Sequence, residues 1–332
     1  MENNTFQEIW EELKNSKRIL MALHPKPDGD SLGSCIAMKS VLEKEGVEVK
    51  LISSDLISEN LNVFYSEEIE FGKGVEGYSA EDFDFFLLLD HGSLGAYFSE
   101  DFFGNEKIRE KIINIDHHET NTFYGKVNYV DKKSPSCASI IVDMFRAMNV
   151  KFDKKICRAL LLGICTDTNF GEYGNSGDSF EKMAFLIKNG NIDFQKEFVI
   201  QILKSDSWEL KKLHGIILSN MKRKVIGGKN IFYSYATKEE YKKHGLESSD
   251  IRLGIICMQD MADWDLIFVL TELDGKIKGS FRSKELDTTI YSEIFGGGGH
   301  KKASAFVLDG VDIKKSIENV LKVVEEKGFV EV

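Results

Sequence analysis

The sequence contains little cysteine, little proline and no long apolar run. Its five cysteines form no C-x-x-C pair and lie mostly in apolar segments, which disfavours a disulfide framework and indicates buried thiols. No apolar run approaches the roughly 18 residues that a membrane span requires, and the acidic start MENNTFQEIW lacks the basic and apolar regions of a signal peptide. We therefore expect a cytoplasmic protein without membrane contact.

Basic residues are outnumbered by acidic ones, with 43 Lys and Arg against 54 Asp and Glu, so the net charge is -11. Tight binding to long nucleic acid relies on Lys and Arg that neutralise many phosphates, so this balance disfavours a long duplex as a partner. A small anionic substrate is still compatible with this net charge, because a cluster of carboxylates that binds divalent cations becomes much less negative. A hydrophobic fraction of 42% over 332 residues predicts an ordered globular chain of two domains.

Apolar runs alternate with helix-like stretches in the first half of the chain. Four of these runs are predicted to be buried strands: residues 18–23, 47–52, 84–90 and 112–116. Between the first two, residues 31–45 carry apolar side chains at helical spacing and end before Gly46, which completes a βαβ unit. Runs that are apolar on both faces favour a parallel sheet covered by helices, so the predicted fold class is α/β.

Helical patterns dominate residues 136–224, including the amphipathic stretch SWELKKLHGIILSNMKRK. The pattern changes again from Asn230 onwards. Three strands and one helix are predicted there, at residues 230–237, 265–273, 276–283 and 313–327 respectively. The chain is therefore expected to have three parts: a sheet-bearing domain at 1–190, a helical linker at 191–224 and a smaller α+β domain at 225–332.

Acidic and imidazole side chains follow the predicted strands at their carboxyl ends, where open α/β sheets bind ligands. His24, Asp28 and Asp30 follow the first strand within HPKPDGD, and Gly29 makes that turn compact enough to direct both carboxylates into one site. Taken alone, these residues also fit a polar turn with a capping aspartate. Asp90 ends the apolar run FFLLLD, where a carboxylate is costly unless it is paired, bound to a metal or used as a helix cap.

Two further clusters complete this pattern. Asp116, His117 and His118 end the run IINIDHH, and Asp167 follows the helical run ALLLGIC. A histidine pair is often only a solvated corner, but four such clusters in one chain are not expected to be independent accidents. Mixed carboxylate and imidazole ligands suit manganese or a similar ion better than calcium. Four aspartates would balance two divalent cations, most suitably Mn²⁺, which predicts a two-metal site that hydrolyses a phosphate ester.

Five motifs together resemble those of the DHH phosphoesterase superfamily. Four lie in the first half of the chain: HPKPDGDSLGS, LLLDHG, INIDHH and ICTDTNFG. The fifth, SFRSKELDTTIYSEIFGGGGHKKASAF, resembles the DHHA1 domain through its Arg-Ser pair and its GGGH signature. The resemblance spans nearly the whole chain. It implies a parallel-sheet DHH domain followed by a DHHA1 substrate-binding domain, with the active site in the cleft between them.

The resemblance also implies a role for each residue of the clusters. It assigns ligands to two ions in two groups: His24, Asp28 and Asp90; Asp30, Asp90, His117 and Asp167. Asp90 would bridge both ions. His118 would face the substrate, and Asp116 would orient a neighbouring imidazole through a hydrogen bond. His118, Asp90 and Asp116 form the expected catalytic set.

Three residues depart from the family's usual form. Lys26 lies inside the first motif, where its charge could contact phosphate or point to solvent. His91 follows the bridging aspartate and could be an additional ligand or acid. Asn169 stands where a glycine is expected, which could alter the loop behind Asp167. These departures bear on substrate specificity, because none of them removes an expected ligand.

The second domain is expected to bind phosphate. Its substrate-binding residues are expected to be Arg282, Ser283, Gly297, Gly298, Gly299 and His300. Glycines 296 to 299 can expose successive N–H groups to an anion, although four glycines also fit a flexible hinge. Arg282 offers a planar fork that suits bidentate contact with phosphate.

Within the family, the length of this chain resembles the NrnA group, nanoRNases that also dephosphorylate pAp. The resemblance implies hydrolysis of short oligoribonucleotides and pAp by a hydroxide that two metal ions activate, and it is compatible with a homodimer. Three alternatives stay open: a phosphodiesterase for cyclic dinucleotides or pApA, an exopolyphosphatase or pyrophosphatase, and a nucleotide-binding regulator without turnover. The first two use the same metal chemistry, so only a comparison of substrates separates them.

Overall fold

Two compact units, Met1–Ser205 and Asp206–Val332, make up the chain. The computed structural model describes residues 2–65, 69–95, 99, 105–172, 177–203, 208–246, 255–310 and 312–332. Each unit is built on a six-stranded sheet. Among the helices in these ranges, none is long and apolar enough to cross a bilayer.

The first unit contains a parallel sheet. Its strands are β1 (Arg18–Ala22), β2 (Glu48–Ser53), β3 (Ile69–Phe71), β4 (Phe85–Leu89), β5 (Ile112–Asp116) and β6 (Val127–Val130). They lie in the order β3-β2-β1-β4-β5-β6, and each neighbouring pair is parallel. The α/β fold class, the four strands expected from apolar runs and the βαβ unit are confirmed. The two edge strands, β3 and β6, were not expected.

Helices pack against this sheet, and its strands bury both faces. The described α-helices are α1 (Phe6–Lys14), α2 (Gly29–Lys44), α3 (Glu106–Arg109), α4 (Cys137–Ala147), α5 (Lys154–Asp167) and α6 (Gly177–Gly190), and there is a π-helical segment at Gln195–Leu203 and a 3₁₀ segment at Glu59–Phe64. In β1, Ile19 and Met21 join the larger core with α1, α2, α4 and α5. Leu20 and Ala22 face the opposite way into a smaller core. Burial on both faces explains why the strand reads as an unbroken apolar run.

The second unit contains a mixed sheet. Its strands are β7 (Lys222–Ile226), β8 (Lys229–Ala236), β9 (Leu266–Glu272), β10 (Lys276–Ser283), β11 (Gly298–His300) and β12 (Ala303–Asp309), in the order β11-β12-β10-β9-β8-β7. Only the β8–β9 pair among these strands is parallel. The described α-helices are α7 (Trp208–Ser219), α8 (Lys238–Lys242), α9 (Thr289–Ser292) and α10 (Ile313–Lys327). One face of α10 packs into the core beside β9 and β10.

The prediction that helical structure continues through residue 224 is wrong for its last residues. α7 ends at Ser219, and Lys222–Ile226 forms β7, which pairs antiparallel with β8. Four of the five residues of β7 are exposed, so this edge strand carries no apolar pattern that would distinguish it from the end of a polar helix. The helix expected at 313–327 has those bounds in the structure.

Candidate metal centre

Three neighbouring strands bring the expected ligands together. β1, β4 and β5 are adjacent in the sheet, so the residues at their carboxyl ends meet at one edge. His24 follows β1, Asp90 follows β4 and His117 follows β5. Helix α2 begins at the same edge with Asp28 as its N-cap, and Asp167 is the last residue of α5.

The donor atoms of these residues form three overlapping groups. Within each group all donor atoms lie within 4.8 Å of one another: His24, Asp28 and Asp90; Asp30, His117 and Asp167; Asp90, His117 and His118. Nε2 of His24 is 3.3 Å from Oδ1 of Asp28 and 3.6 Å from Oδ2 of Asp90. Nε2 of His117 is 3.1 Å from Oδ2 of Asp167 and 3.4 Å from Oδ1 of Asp90. Asp90 therefore presents a different oxygen to each of the two imidazoles.

Backbone carbonyls determine which nitrogen of each imidazole faces the carboxylates. Nδ1 of His24 lies 2.9 Å from the carbonyl oxygen of Pro25, and Nδ1 of His117 lies 3.3 Å from that of Ser134. Because a carbonyl only accepts, Nδ1 carries the proton, and in the neutral ring Nε2 directs its lone pair towards the carboxylates. A histidine that binds a metal commonly has this arrangement.

Asp90 has an unsatisfied buried oxygen. Its φ of 64° is left-handed, its side chain is 3% exposed, and Oδ1 accepts no hydrogen bond from any residue that the structure describes. A buried carboxylate oxygen without a donor is costly unless a cation compensates its charge. The site therefore fits a bound cation, and its mixture of carboxylate and imidazole donors suits an ion such as Mn²⁺ better than Ca²⁺.

Asp30 is fully buried beside the start of α4. Its Oδ2 accepts the backbone N–H of Cys137 at 2.6 Å, and its Oδ1 accepts that of Ala138 at 2.9 Å. Two amide donors hold the carboxylate in one orientation. In that orientation Oδ2 lies 3.9 Å from Nε2 of His117.

The close crossing of α2 and α5 brings Asp30 and Asp167 into one group. A Cβ atom at Gly163 of α5 would lie 2.4 Å from Oδ1 of Asp30. A Cβ atom at Gly33 of α2 would lie 2.2 Å from the carbonyl oxygen of Ala159. Both separations are shorter than van der Waals contact, so the two helices can approach this closely only with glycine at both positions.

The electrostatics of the site favour retained protons in the metal-free state. Burial by itself lowers the pKa values of His24 and His117, but hydrogen bonds to neighbouring carboxylates outweigh it and raise each pKa to about 11. Burial raises the pKa of Asp30 well above its usual range, and the negative charges of Asp90 and Asp167 add to this effect. A cation that binds here must displace protons.

A separate hydrogen-bond network orients His118. Its Nδ1 lies 2.7 Å from Oδ1 of Asp116, and Nδ2 of Asn121 donates to Oδ2 of Asp116 at 2.6 Å. The hydrogen bond to Asp116 raises the pKa of His118, whose side chain is 41% exposed. Asn121 is buried and also bonds Asn114, which restrains the carboxylate further. The sequence carries no local signal for Asn121, because only its burial distinguishes it from other loop asparagines.

The three departures from the family pattern have different environments. Lys26 is exposed with a φ of 56°, and its backbone N–H donates to Oδ2 of Asp55 at 3.0 Å. His91 belongs to none of the three donor groups, and its complete burial lowers its pKa to about 4. Asn169 has a left-handed φ of 44°. Glycine adopts this conformation freely, which explains why a glycine is expected here, and asparagine tolerates it better than most other residues do.

In the second unit, Arg282 and His300 lie in one row of the sheet. Both pair with Ala303 of β12, Arg282 from β10 and His300 from β11. Directly opposed residues of antiparallel strands project to the same face. Two hydrogen-bonding side chains therefore flank a small alanine, with their strands roughly 10 Å apart.

Ser283 and the glycine tract differ from the expectation. Ser283 is buried, and its hydroxyl accepts the N–H of Leu286 at 3.1 Å and donates to the carbonyl of the same residue. The N–H of Gly297 donates to the carbonyl of Ser292 at 2.9 Å, so it is not presented to an anion. The next two glycines lie in the exposed strand β11. Local hydrogen bonds thus engage the Ser283 hydroxyl and the Gly297 N–H, two of the groups that are expected to contact substrate.

Models of two protein families match the chain. The DHH family, N-terminal domain, matches residues 18–164, and the DHHA1 domain matches residues 228–327. The first match contains the ends of β1, β4 and β5, and Asp167 lies just beyond it. The second match contains Arg282 and His300.

Curated relatives cover nearly the whole chain at low identity. "Probable bifunctional oligoribonuclease and PAP phosphatase NrnA" of Streptococcus mutans is 24% identical over 96% of this chain and 99% of its own length. "Bifunctional oligoribonuclease and PAP phosphatase NrnA" of Thermus thermophilus is 24% identical over 93% of this chain and 90% of its own. An exopolyphosphatase-related protein from Bacteroides fragilis, of known crystal structure, matches 97% of this chain and 96% of its own with a TM-score of 0.78. At 20% identity this last similarity concerns the fold alone.

Proposed function

Because the chain belongs to the DHH/DHHA1 phosphoesterase family, we propose that it hydrolyses short oligoribonucleotides and pAp with two divalent ions, most suitably Mn²⁺. The substrate class is supported by the names of the two NrnA relatives, which match almost the full length of the chain. The ligands that we propose fall into one group for each ion: His24, Asp28 and Asp90; Asp30, Asp90, His117 and Asp167.

The observation that carries this proposal is the position of Asp90 between the two imidazoles. One of its oxygens faces His24 and the other faces His117, and the second of these oxygens is buried without a hydrogen bond of ordinary geometry among the described residues, because Nε2 of His117 stays 3.4 Å away. A purely structural ion pair would hold that oxygen in a short hydrogen bond. A carboxylate shared by two cations needs none.

The chain's own residues supply orientation and a proton. When bound, two divalent ions would lower the pKa of a water molecule and compensate the charge of a phosphate. Asp116 binds Nδ1 of His118, so Nε2 is the nitrogen left for a substrate. The hydrogen bond to Asp116 raises the pKa of His118, which favours the form with a proton at Nε2, and that N–H would donate to a phosphate oxygen. Arg282 and His300 bind the substrate's other phosphate.

A substrate panel tests the proposal. The purified full-length protein, loaded with Mn²⁺, is incubated with pAp, pApA, short RNA, cyclic dinucleotides and pyrophosphate. We expect turnover of pAp and short RNA that disappears after chelation and returns with Mn²⁺. Full turnover in chelator-treated protein would refute the metal dependence.

The same panel separates the alternatives. Turnover of pyrophosphate without turnover of nucleotides would identify a pyrophosphatase. Preference for cyclic dinucleotides or pApA over pAp and short RNA would identify a dinucleotide phosphodiesterase. Nucleotide binding without any turnover in the Mn²⁺-loaded protein would identify a regulator.

A further inference from the structure

The first unit contains a cavity of about 300 Å³ that takes no part in the metal centre. Its apolar wall comes from α2, β2, β3 and the 3₁₀ segment Glu59–Phe64, and includes Ile36, Leu51, Phe64 and Ile69. A volume of this size is at the lower end of the range for ligand pockets, roughly 300–1,000 Å³. It accommodates a small organic molecule rather than a polymer.

Cationic side chains form the rest of the wall. They are Lys39, Lys154, Lys155 and Arg158, and none of the described lining residues is acidic. Lys39 is largely neutralised, because its Nζ contacts the carboxylate of Glu43 as well as the carbonyl of Val49. The other three come from the first turns of α5.

These three cations exceed the acidic groups that contact them. Glu197 lies 3.0 Å from Nζ of Lys154 and 3.1 Å from Nε of Arg158, so two cations share one carboxylate. Lys155 is exposed and has no ion-pair partner in the part of the chain that the structure describes. The cavity therefore carries an excess of positive charge, although the chain as a whole has a net charge of -11.

Arg158 connects the charged and apolar parts of the cavity. Its guanidinium carbon lies 4.4 Å from the centre of the Phe64 ring. An arginine held over an aromatic ring keeps its planar fork in place and loses less freedom when it binds an anion. Apolar walls beside such a group suit a molecule with an apolar body and one anionic group.

The cavity lies far from the metal centre along the same helix. Lys154 is the first residue of α5 and Asp167 is the last, so at 1.5 Å per residue they are separated by about 20 Å. One small molecule cannot reach both sites. A ligand in the cavity would nevertheless contact α2 and α5, the two helices that carry Asp30 and Asp167.

We propose that this cavity is a binding site for a small organic anion with an apolar body, separate from the metal centre. The inference goes beyond the proposed hydrolytic function and does not depend on it. The complementary features are the excess charge at Lys154, Lys155 and Arg158 and the apolar wall around Phe64.

Two matched probes test the proposal on the full-length, Mn²⁺-loaded protein. 8-Anilinonaphthalene-1-sulfonate has an aromatic body and one sulfonate, and it fluoresces in apolar surroundings. N-Phenyl-1-naphthylamine has the same rings without the charge. We expect one saturable site per chain for the sulfonate and at least about tenfold weaker binding of the neutral probe, since a charge-assisted contact contributes about 1.5–3 kcal/mol. Equal affinity for both probes would refute the anion preference.

Variants locate the site. Lys155→Glu reverses a lining charge and should weaken binding of the sulfonate at least about tenfold. Lys151→Glu makes the same change at an exposed lysine outside the cavity and should leave binding nearly unchanged. Val63→Trp fills part of the cavity from a half-exposed position and should also weaken binding, which keeps the test informative if Lys155 contributes little.

Three results would overturn the proposal. One is the absence of saturable sulfonate binding to the folded protein. Another is unchanged binding in both Lys155→Glu and Val63→Trp. The third is loss of binding in Asp90→Asn, with normal binding in the two cavity variants, which would place the probe at the metal centre. None of these results depends on whether the protein hydrolyses nucleotides.

Discussion

At Asp90 the backbone takes a left-handed conformation that most side chains avoid. Aspartate and asparagine adopt it more readily than other residues with a side chain, because their short polar groups can bond locally. With this conformation, directly after β4, the carboxylate lies between His24 and His117. An asparagine at this position would keep the same backbone and remove the charge, so Asp90→Asn separates the electrostatic role from the structural one.

Asp90→Asn should damage catalysis more than His24→Ala does. A carboxylate shared by two ions organises both of them, whereas His24 faces only one group of donors. We expect Asp90→Asn to lose most bound Mn²⁺ and to lower kcat by at least about a thousandfold, and His24→Ala to retain part of both. Elemental analysis and kcat on pAp measure this, and circular dichroism verifies the fold. Near-normal turnover and metal content in Asp90→Asn would show that Asp90 is not the shared ligand.

Metal binding should release protons. Neighbouring carboxylates raise the pKa values of His24 and His117 to about 11, so at pH 7.5 both imidazoles are protonated in the metal-free protein. Mn²⁺ requires neutral imidazoles and an ionised Asp30, whose pKa burial also raises, so loading should release at least about two protons and the apparent affinity for Mn²⁺ should rise with pH. Titration calorimetry in Tris and in PIPES at pH 7.5 counts these protons from the difference in heat. Identical heats in both buffers would mean that the histidines are already neutral.

At the scale of elements, the crossing of α2 and α5 constrains the site. Gly163→Ala replaces a poor helix former with a good one, which alone would stabilise α5 by about 0.5–1 kcal/mol. The added Cβ would lie 2.4 Å from Oδ1 of Asp30 and 2.6 Å from the Cβ of Ala138. Because such overpacking typically costs about 1–3 kcal/mol, we expect a lower melting temperature and loss of bound Mn²⁺.

Gly215→Ala is the matched control for this prediction. Gly215 also lies inside a helix, α7, but a Cβ there would meet no atom of the described residues within 4 Å. The control should therefore keep its metal and gain a little stability from the better helix former. If Gly163→Ala were stabilised as much as Gly215→Ala, the crossing would tolerate a side chain and would not determine the position of Asp30.

The strands that the sequence predicts from unbroken apolar runs are those buried on both faces. β1, β4 and β5 are continuous apolar runs because helices and loops cover both sides of the sheet. β3 has three residues, none of them buried, and β7 is mostly exposed, so neither has a recognisable pattern. Edge strands of this kind are held by hydrogen bonds to a neighbouring strand, β2 for β3 and β8 for β7, rather than by a buried apolar face of their own.

The site shows the same division between local and distant information. The meeting of His24 and Asp90 at one edge of the sheet could be predicted, because each follows a strand end within a dense local motif. Asn121 and Gly163 could not, since they act through contacts with Asp116 and Asp30 that only the fold creates. The hydrogen bonds of Ser283 within its own turn could not be predicted either, and its contact with substrate stays a prediction.

At the scale of the whole molecule, the two units have separate sheets and match separate family models, so they can be tested separately. Arg282→Ala should weaken pAp hydrolysis about tenfold to a hundredfold and leave the Mn²⁺ content unchanged, because a charge-assisted contact contributes about 1.5–3 kcal/mol. An artificial phosphodiester without a second phosphate should be hydrolysed almost as well as by the unaltered protein. Kinetics on both substrates and elemental analysis measure the effect.

Lys278→Ala is the control for Arg282→Ala. Lys278 lies on the same strand and, by strand alternation, on the same face as Arg282, roughly 13 Å away. Loss of its charge should change both activities by less than about twofold, since a half-exposed charge away from the proposed phosphate contact contributes little. Equal losses on both substrates in Arg282→Ala, or loss of Mn²⁺, would show that this residue supports the catalytic centre instead of binding substrate.

The glycines at the helix crossing also have a consequence for how this protein can diverge. Gly33 and Gly163 are separated by most of the first unit's sequence, yet each leaves space for the other's helix. A descendant that gave up hydrolysis would be free to replace its aspartates and histidines, but it would still have to fold. In such a lineage we expect both glycines to persist after the metal-binding side chains are lost. An inactive relative could then be recognised by glycines at these two positions, residues that have no side chain at all.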